Sequence, residues 1–561
     1  MATESFFSSA SLAYLASAGA GKDGKTYSIK PTDGSGDFTF SRGSNLAATR
    51  VGPTGLIEKG RENLFTYSNQ FDTTWTVSNN ATVGPRVADP NGGNDAWELN
   101  YDGTVGGRIQ QQVNITDGGV YVFSIYARVP SGTRDVVIYT TISGFLKTIT
   151  LTTTWQRFEL FRTNVGYTQA FPQIRDNSGV AGAIHIFQAQ YEVGLAATDY
   201  IESGATTGKA GLLEDEPRFD YSGGATCPSL LLEPSRTNLL GYSEYFNSSY
   251  WAKSGSSITS NAVISPDGGL NASKLVEGTN NGVHRLRKAS LLTGNTEYTI
   301  SVFAKAGERT WLNISENQVG ESWFDLGNGV TGASSATASG MIAFANGWYI
   351  CWQTSTPTST GNVDLYTATD GSTKVYQGDG TSGIYIYGAQ LEQASYPTSY
   401  IPNHSGGSVT RGADYSESST SLSIGDSEFS AYYEMDAEVI PREGSTTFFR
   451  IEFNGGSDFI GLKGSSNSIN NMYTLQTFGS YLETLGNITE AGVVKFLINY
   501  SSGTGDLFVN GTKYAGVITG PTTGNTIDNV ELRGGGYSHD SKQILLFPEV
   551  LSEADCITLT T

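Results

Sequence analysis

The sequence predicts an all-β chain built as a string of β-sandwiches, and three observations carry that reading. Glycine accounts for 69 of 561 residues, tyrosine and phenylalanine for 30 and 26, and windows rich in Ala, Leu, Glu and Lys are nearly missing. Short runs of alternating apolar residues recur between Gly, Asn and Asp clusters, as at 121–127, 184–189, 298–304, 384–387 and 429–439, which is the pattern of half-buried strands. The third observation is a duplication. Ala189-Gln190-Tyr191-Glu192 with Thr198 and Tyr200-Ile201 returns as Ala389-Gln390-Leu391-Glu392 with Thr398 and Tyr400-Ile401, every match at one constant offset.

The openings of the two copies match as well. Glu58, Arg61, Asn63 and Leu64 answer Glu233, Arg236, Asn238 and Leu239, and Trp75 answers Trp251. Residues 121–128 align with 298–305, and the Trp155 and Trp348 segments follow in both. Two long copies make a duplicated domain rather than a solenoid, which stacks many short units.

In chain order, residues 1–57 form a lead-in with a short helix near 11–17, a Gly-rich hinge and the run 37–42. Repeat 1 spans 58–204 and a connector 205–232. Repeat 2 spans 233–403 and a linker 404–426. A different β domain fills 427–561. Its hairpin signal is Asn510-Gly511, since a type I′ turn needs positive φ at both central residues. Ser552-Glu553-Ala554-Asp555 reads as a helix cap. Repetition makes Glu58 with Arg61, and Glu233 with Arg236, candidates for structural ion pairs or backbone clamps near the seam.

Charge bounds the partners. With 34 basic against 54 acidic residues the net is −20, which argues against a nucleic-acid backbone or an anionic membrane surface as partner. Three cysteines (Cys227, Cys351, Cys556) imply no disulfide framework and suit no zinc site. The N-terminal stretch lacks the basic front of a secretory signal, and no run approaches the ~20 apolar residues of a membrane span. Synthesis in a host cytoplasm and no membrane insertion are the expectation.

Several constellations invite chemistry. Glu434, Asp436 and Glu438 share one face of a strand, the placement of paired carboxylates in a glycosidase; the solvent face of an outer strand accounts for them, and no catalytic residue is assigned. Sugar rings present an apolar face that stacks on aromatics. Trp75, Trp251, Trp155 and Trp348 recur in both copies and read as core, whereas Trp97, Trp311, Trp323 and Trp352 have no counterpart and become the glycan-binding candidates. Asp and Asn clusters at 89–95 and 370–379 could hold structural Ca²⁺ through oxygen ligands, but solvated turn chemistry explains them, and no cofactor is assigned.

The segments FTFSRGSNLAATRVGPTGLIE, PRFDYSGGATCPSLLLEPSRTNLLGYSEYFNSSYW, NGWYICW and GAQLEQASYPTSYIPNHSGGSVTRGAD resemble a mosaic found in tailed-bacteriophage virion proteins. In that mosaic the first two pieces lie close together and precede a carbohydrate-binding-module-like jelly roll; here repeat 1 separates them. The segment from DLFVNG to the last residues resembles laminin-G or concanavalin-like lectin domains. The resemblance implies two jelly rolls and a concanavalin-like C-terminal sandwich on a non-enzymatic virion surface protein, a tail fibre, head fibre or decoration protein. It implies a lead-in that attaches to other virion proteins, a homo-oligomer with a trimer favoured, and adhesion to host-surface saccharide through the C-terminal sandwich and the unpaired tryptophans. A polysaccharide-degrading hydrolase and a purely structural decoration protein are the alternatives.

Overall fold

The computed structural model describes every residue except 1, 20, 23, 44–45, 141–145, 317–319, 419–421, 423, 426, 438–445, 454–457, 468–469, 478–479, 482–491, 520–525 and 536–537. The protein is all-β: tandem sandwiches, with α-helices among the described residues at Ala2–Ser9 and Glu553–Thr560 and three single 3-10 turns.

Repeat 1 packs two five-stranded sheets. One runs Gln156–Thr163, Val120–Arg128, Ala181–Val193, Ala96–Asp102, Ala81–Val87; the other runs Leu146–Leu151, Arg134–Tyr139, Gln173–Asp176, Gly107–Gln110, Thr76–Ser78. Repeat 2 keeps both orders. Its sheets run Trp348–Ser355, Tyr298–Lys305, Gly383–Glu392, Ala272–Glu277, Ser256–Val263 and Gly320–Asp325, Trp311–Glu316, Gly361–Ala368, Arg285–Leu292, Ala252–Ser254, and each gains one edge strand, Ala338–Phe344 and Val330–Ser334. Strand period two turns Ile109, Ile138 and Ile174 into one core and Leu286, Ile314 and Leu365 into the other. Trp75 and Trp251 also correspond, each donating its indole N–H to the carbonyl of a positive-φ tyrosine, Tyr67 (3.0 Å) and Tyr242 (3.2 Å).

The repeated Ala-Gln-x-Glu signature is a clasp. Gln190 Oε1 accepts the Ile201 N–H at 2.7 Å and Gln390 Oε1 the Ile401 N–H at 2.6 Å. Glu192 and Glu392 each accept the backbone N–H and the hydroxyl of Thr198 and Thr398. Asn63 and Asn238 bind the carbonyls of Ala189 and Ile201, and of Ala389 and Ile401. Each clasp ties the opening of its repeat to its close with fully buried amides, which cost free energy unless paired.

The third sandwich departs from the expected lead-in, connector and linker. Its sheets have eight and nine strands and take Leu12–Leu15 against His539–Phe547, Phe38–Ser41 against Tyr415–Ser418, and Ser229–Leu232 against His539–Phe547. Tyr14, Phe38, Phe40, Leu230 and Leu232 sit in the same core as Phe429, Tyr433 and Phe496. Residues 12–15 and 38–41 of the expected lead-in, 229–232 of the connector and 415–418 of the linker are therefore strands of this sandwich, because a run of four residues suffices when its partners already exist. The helix expected near 11–17 is likewise a strand, with the helix lying before it at Ala2–Ser9. The Asn510-Gly511 turn and the Ser552 cap form as expected: φ is 45° and 78° at the turn, and Ser552 accepts the Asp555 N–H.

A buried ionic hub joins these parts. Arg218 pairs with Glu233 (2.5 Å) and with Asp414; Arg411 reaches Glu233 at 2.7 Å and Arg42 reaches Asp414 at 3.3 Å. Burial alone would raise the Glu233 carboxyl, but the charges of Arg411 and Arg218 and the Ser399 donors outweigh it and hold it down at about 2. Each of these charges lies in a segment of the mosaic: FTFSR, PRFDY, LLLEP and VTRGAD. The pieces that repeat 1 separates in sequence are neighbours in space, with Val51 N–H on Asp220 and Arg218 on the Thr49 carbonyl. The ion pairs do not form within either couple, since Glu58 binds Arg50 and Glu233 binds the hub, but Glu233 does clamp backbone by accepting the Ser399 N–H, and Arg236, over the Tyr396 ring, donates to the Ser235 carbonyl.

Candidate functional site

On the strands of repeat 2 that bury Leu286, Leu365 and Ile314, the residues between point to the opposite face. Arg285, Tyr366, Asn313 and Trp323 form one row across four strands, and Arg287, Asp364, Ser315 and Glu321 form the next. Arg287 grips Asp364 with two bonds of 2.6 and 2.7 Å, a bidentate geometry that fixes both planes. Arg285 donates to the Tyr366 hydroxyl at 2.9 Å. Lys374 spans the rings of Trp323 and Tyr366, 5.6 and 5.1 Å from their centroids, and pairs with Glu321.

Trp311 lies beside this row, half-buried, with its ring against Gly371 and Gly332. A Cβ at Gly371 would stand 2.9 Å from the indole, so only glycine leaves the ring room to lie flat there. Asn313 donates to the Ser322 carbonyl, while its Oδ1 is buried with no partner among the described residues. Trp323, Tyr366 and Asn313 are buried and Lys374 covers the first two rings, so the part of this row open to a ligand is the half-buried Trp311 indole with the Arg285 and Arg287 guanidiniums, which can stack an apolar ring and bond its polar rim.

Strand register gives each of these positions a counterpart in repeat 1. Arg285 matches Arg108, Arg287 matches Gln110, Asp364 matches Gln173, Tyr366 matches Arg175 and Asn313 matches Val137. The intervening core residues stay aliphatic in both repeats. One face of the same strands is held while the other is rewritten. In repeat 1 the rewritten face has its own network: Arg108 and Gln173 both donate to Gln110, at 3.1 and 3.2 Å, and Arg175 donates to Asn177 at 2.8 Å.

The four tryptophans singled out from the sequence separate. Trp311 and Trp323 meet on this face. Trp352 lies on the other sheet of repeat 2, over Gly340. Trp97 is buried in repeat 1, its indole N–H on the Asn69 carbonyl and its ring under Arg86. Tyr366, Arg285, Arg287, Asp364 and Asn313 were not among the candidates. Setting Gln173-Ile174-Arg175 against Asp364-Leu365-Tyr366 would have found two of them, since the middle residue is aliphatic in both and the flanks change.

The remaining candidates have local partners. Glu434 accepts from Tyr432 and Asp436 from Lys542, at 2.8 and 3.0 Å; Glu438 lies outside the described residues. Asp89 accepts the N–H groups of Asn91, Gly93 and Asp95, and Asp379 those of Thr381 and Ser382, as turn chemistry requires. Among the described residues no group of three or more His, Cys, Asp or Glu is placed to hold a metal, and no helix is long and apolar enough to cross a membrane.

No family model and no curated protein matches the chain. Solved structures with similar folds include the tandem CBM22-1–CBM22-2 domain of Paenibacillus barcinonensis Xyn10C, at 11% identity and a TM-score of 0.24, covering 63% of this chain and 100% of that one. A CBM4 domain aligns at 13% identity and TM-score 0.17 over 29% of this chain and 90% of that one. Trypanosoma rangeli sialidase aligns at 10% identity and TM-score 0.21 over 98% and 93%. At such scores the likeness has no bearing on what this chain binds.

Proposed function

We propose that the chain is a non-enzymatic, adhesive surface protein of a tailed-phage virion, of fibre or decoration type, whose repeats hold saccharide on the outward faces described above. The mosaic segments support the virion reading. The saccharide reading rests on one observation: strands that keep their inward residues aliphatic in both repeats exchange the outward ones, leaving the half-buried Trp311 beside Arg285 and Arg287 in repeat 2. A single stacking contact contributes roughly 0.5–1.5 kcal/mol, so one site is weak and a homo-oligomer, a trimer by analogy with fibres, multiplies it by avidity of about 10²–10⁴.

The test is binding of the full chain to a panel of bacterial surface polysaccharides, scored against Trp311→Ala and Arg285→Ala. Losses of about threefold to tenfold for Trp311→Ala are expected from a stacking contact of that size. Binding indifferent to both substitutions would remove this face from the reading. Hydrolysis of a polysaccharide that disappears in Glu434→Gln would replace adhesion with catalysis.

A further inference from the structure

In repeat 2 an end cavity is filled by a lysine from outside the repeat. The hairpin of Thr49–Val51 and Ile57–Lys59 lies against it, with Ile57 N–H on the Pro266 carbonyl and the Ile57 side chain among Phe303, Trp348, Tyr387 and Tyr400. Two residues on, Lys59 Nζ stands 2.7 Å from Asp267, 3.2 Å from Glu244 and 3.2 Å from the Tyr387 hydroxyl. Burial would lower the Lys59 ammonium and raise the Asp267 carboxyl, but each holds the other charged and the two shifts run the opposite way.

The corresponding cavity exists in repeat 1, and among the described residues none fills it as Lys59 fills that of repeat 2. Asn69 stands where Glu244 does, Asn91 where Asp267 does, and Phe187 and Tyr200 where Tyr387 and Tyr400 do. Backbone details correspond too: Tyr67 and Tyr242 have φ of 49° and 48°, and Gln188 and Gly388 have 48° and 59°. The result is an open cavity of about 360 Å³ whose wall also carries Asp89, Asp95 and Glu202. Its apolar rim, the counterpart of the Ile57 socket, is Tyr126, Trp155 and Phe187, with the Trp155 and Phe187 rings 6.2 Å apart. The Trp348 indole N–H binds the Ile264 carbonyl, whereas the Trp155 Nε1 is buried without a partner among the described residues.

We infer that the end cavity of repeat 1 is a docking site for a lysine side chain presented by a β-hairpin of a partner protein, the intermolecular counterpart of Ile57-Glu58-Lys59 on repeat 2. An apolar residue would enter the Tyr126–Trp155–Phe187 rim, and the ammonium two residues later would meet the carboxylates and amide oxygens of the cavity. The occupant is an ammonium rather than a metal because its position in repeat 2 is already held by one, and because the described acidic side chains are not grouped to ligate a cation. Of the three carboxylates on the wall Asp95 pairs with Arg86, leaving Asp89 and Glu202 without an ion pair among the described residues, while Arg128 and Arg157 lie over the Trp155 and Tyr126 rings of the rim.

The probe is the chain's own hairpin as an acetylated, amidated peptide of residues 48–60, added to the full-length protein carrying 5-fluorotryptophan. Trp97 and Trp155 flank the cavity and report by ¹⁹F resonance, assigned by single Trp→Phe variants. The expected result is a saturable shift at both, weakened at least tenfold when the peptide lysine is norleucine and at least threefold in Asp95→Asn/Glu202→Gln protein. Equal shifts with the norleucine peptide, no shift at millimolar peptide, or saturation by Ca²⁺ that abolishes peptide binding would each overturn the inference.

Discussion

Repeats 1 and 2 are the same sandwich under different obligations. Their clasps match bond for bond, and their core strands carry aliphatic residues at the same register. What differs lies at the outward sheet face and the end cavity. Repeat 2 is also wired into the ionic hub, since Ser399 of its closing loop donates to Glu233 through both its backbone N–H and its hydroxyl. Duplication preserves what folding needs and releases whatever folding does not need, so the divergent positions mark where function is free to act.

The sharpest way to break the comparison is at the hub. Asp414→Ala takes the carboxylate from buried Arg42 and one of two from buried Arg218, which keeps Glu233, and removing one partner of a buried pair costs about 3–5 kcal/mol. Denaturant unfolding should show repeat 2 and the C-terminal sandwich destabilised together while the repeat 1 transition holds. A uniform loss across all three would mean repeat 1 is coupled to the hub as tightly as repeat 2.

The clasps should behave as equals. Gln190→Ala and Gln390→Ala each leave a buried backbone N–H without its acceptor, at a cost of about 1–3 kcal/mol for that repeat. Unequal losses, read by hydrogen exchange on Ile201 and Ile401, would show that hub attachment strengthens one clasp over the other.

The smallest effect is in pH. Burial pushes the Glu316 carboxyl up to about 7, while its counterpart in repeat 1 is the neutral Thr140. A folded pKa raised above the usual value of 4.5 contributes stability that is fully present below 4.5 and is lost as pH rises through about 7. The Tm of repeat 2 should therefore fall by a few degrees between pH 5 and 8 relative to repeat 1, about what 1–2 kcal/mol produces in a domain of this size. Glu316→Gln should flatten that slope. At the acid end the sign reverses: Glu233 and Asp267 have lowered pKa values, so their contribution is present above the usual carboxylate range and lost as pH falls toward 2.

Much of this was legible in the residues. The duplicated Gln, Glu, Thr and Asn turn out to be the clasp, and Trp75 and Trp251 to be equivalent, because local matches at constant offset encode local bonds. Partner choice was harder to read. Glu233 is expected to pair with Arg236 or clamp backbone; it clamps the Ser399 N–H, but its ionic partners are Arg218 and Arg411, and nothing short-range announces a pairing across such separations. The short strands 12–15 and 38–41 were hidden for the same reason, being too brief to signal without the sheets they join. The outward face escaped because tryptophan count was followed rather than strand alternation, which hides Tyr366 and Arg285 among ordinary strand residues.

Apart from a bridge of Ala13 to Lys30, the strand Leu12–Leu15 has its ladder, among the described residues, with His539–Phe547. At a synthesis rate of about 5–20 residues per second, that partner leaves the ribosome roughly 30–100 s after the first strand does. For that interval the strand lacks its main ladder partner, with Phe38 and Lys30 the early-synthesised contacts of Tyr14 and Ala13, while both repeats can already have closed behind their clasps. The third sandwich is thus a late event by construction, completed only when the two ends of the described fold are brought together. A nascent chain stalled before residue 539 should carry two finished repeats and a sticky, chaperone-seeking front.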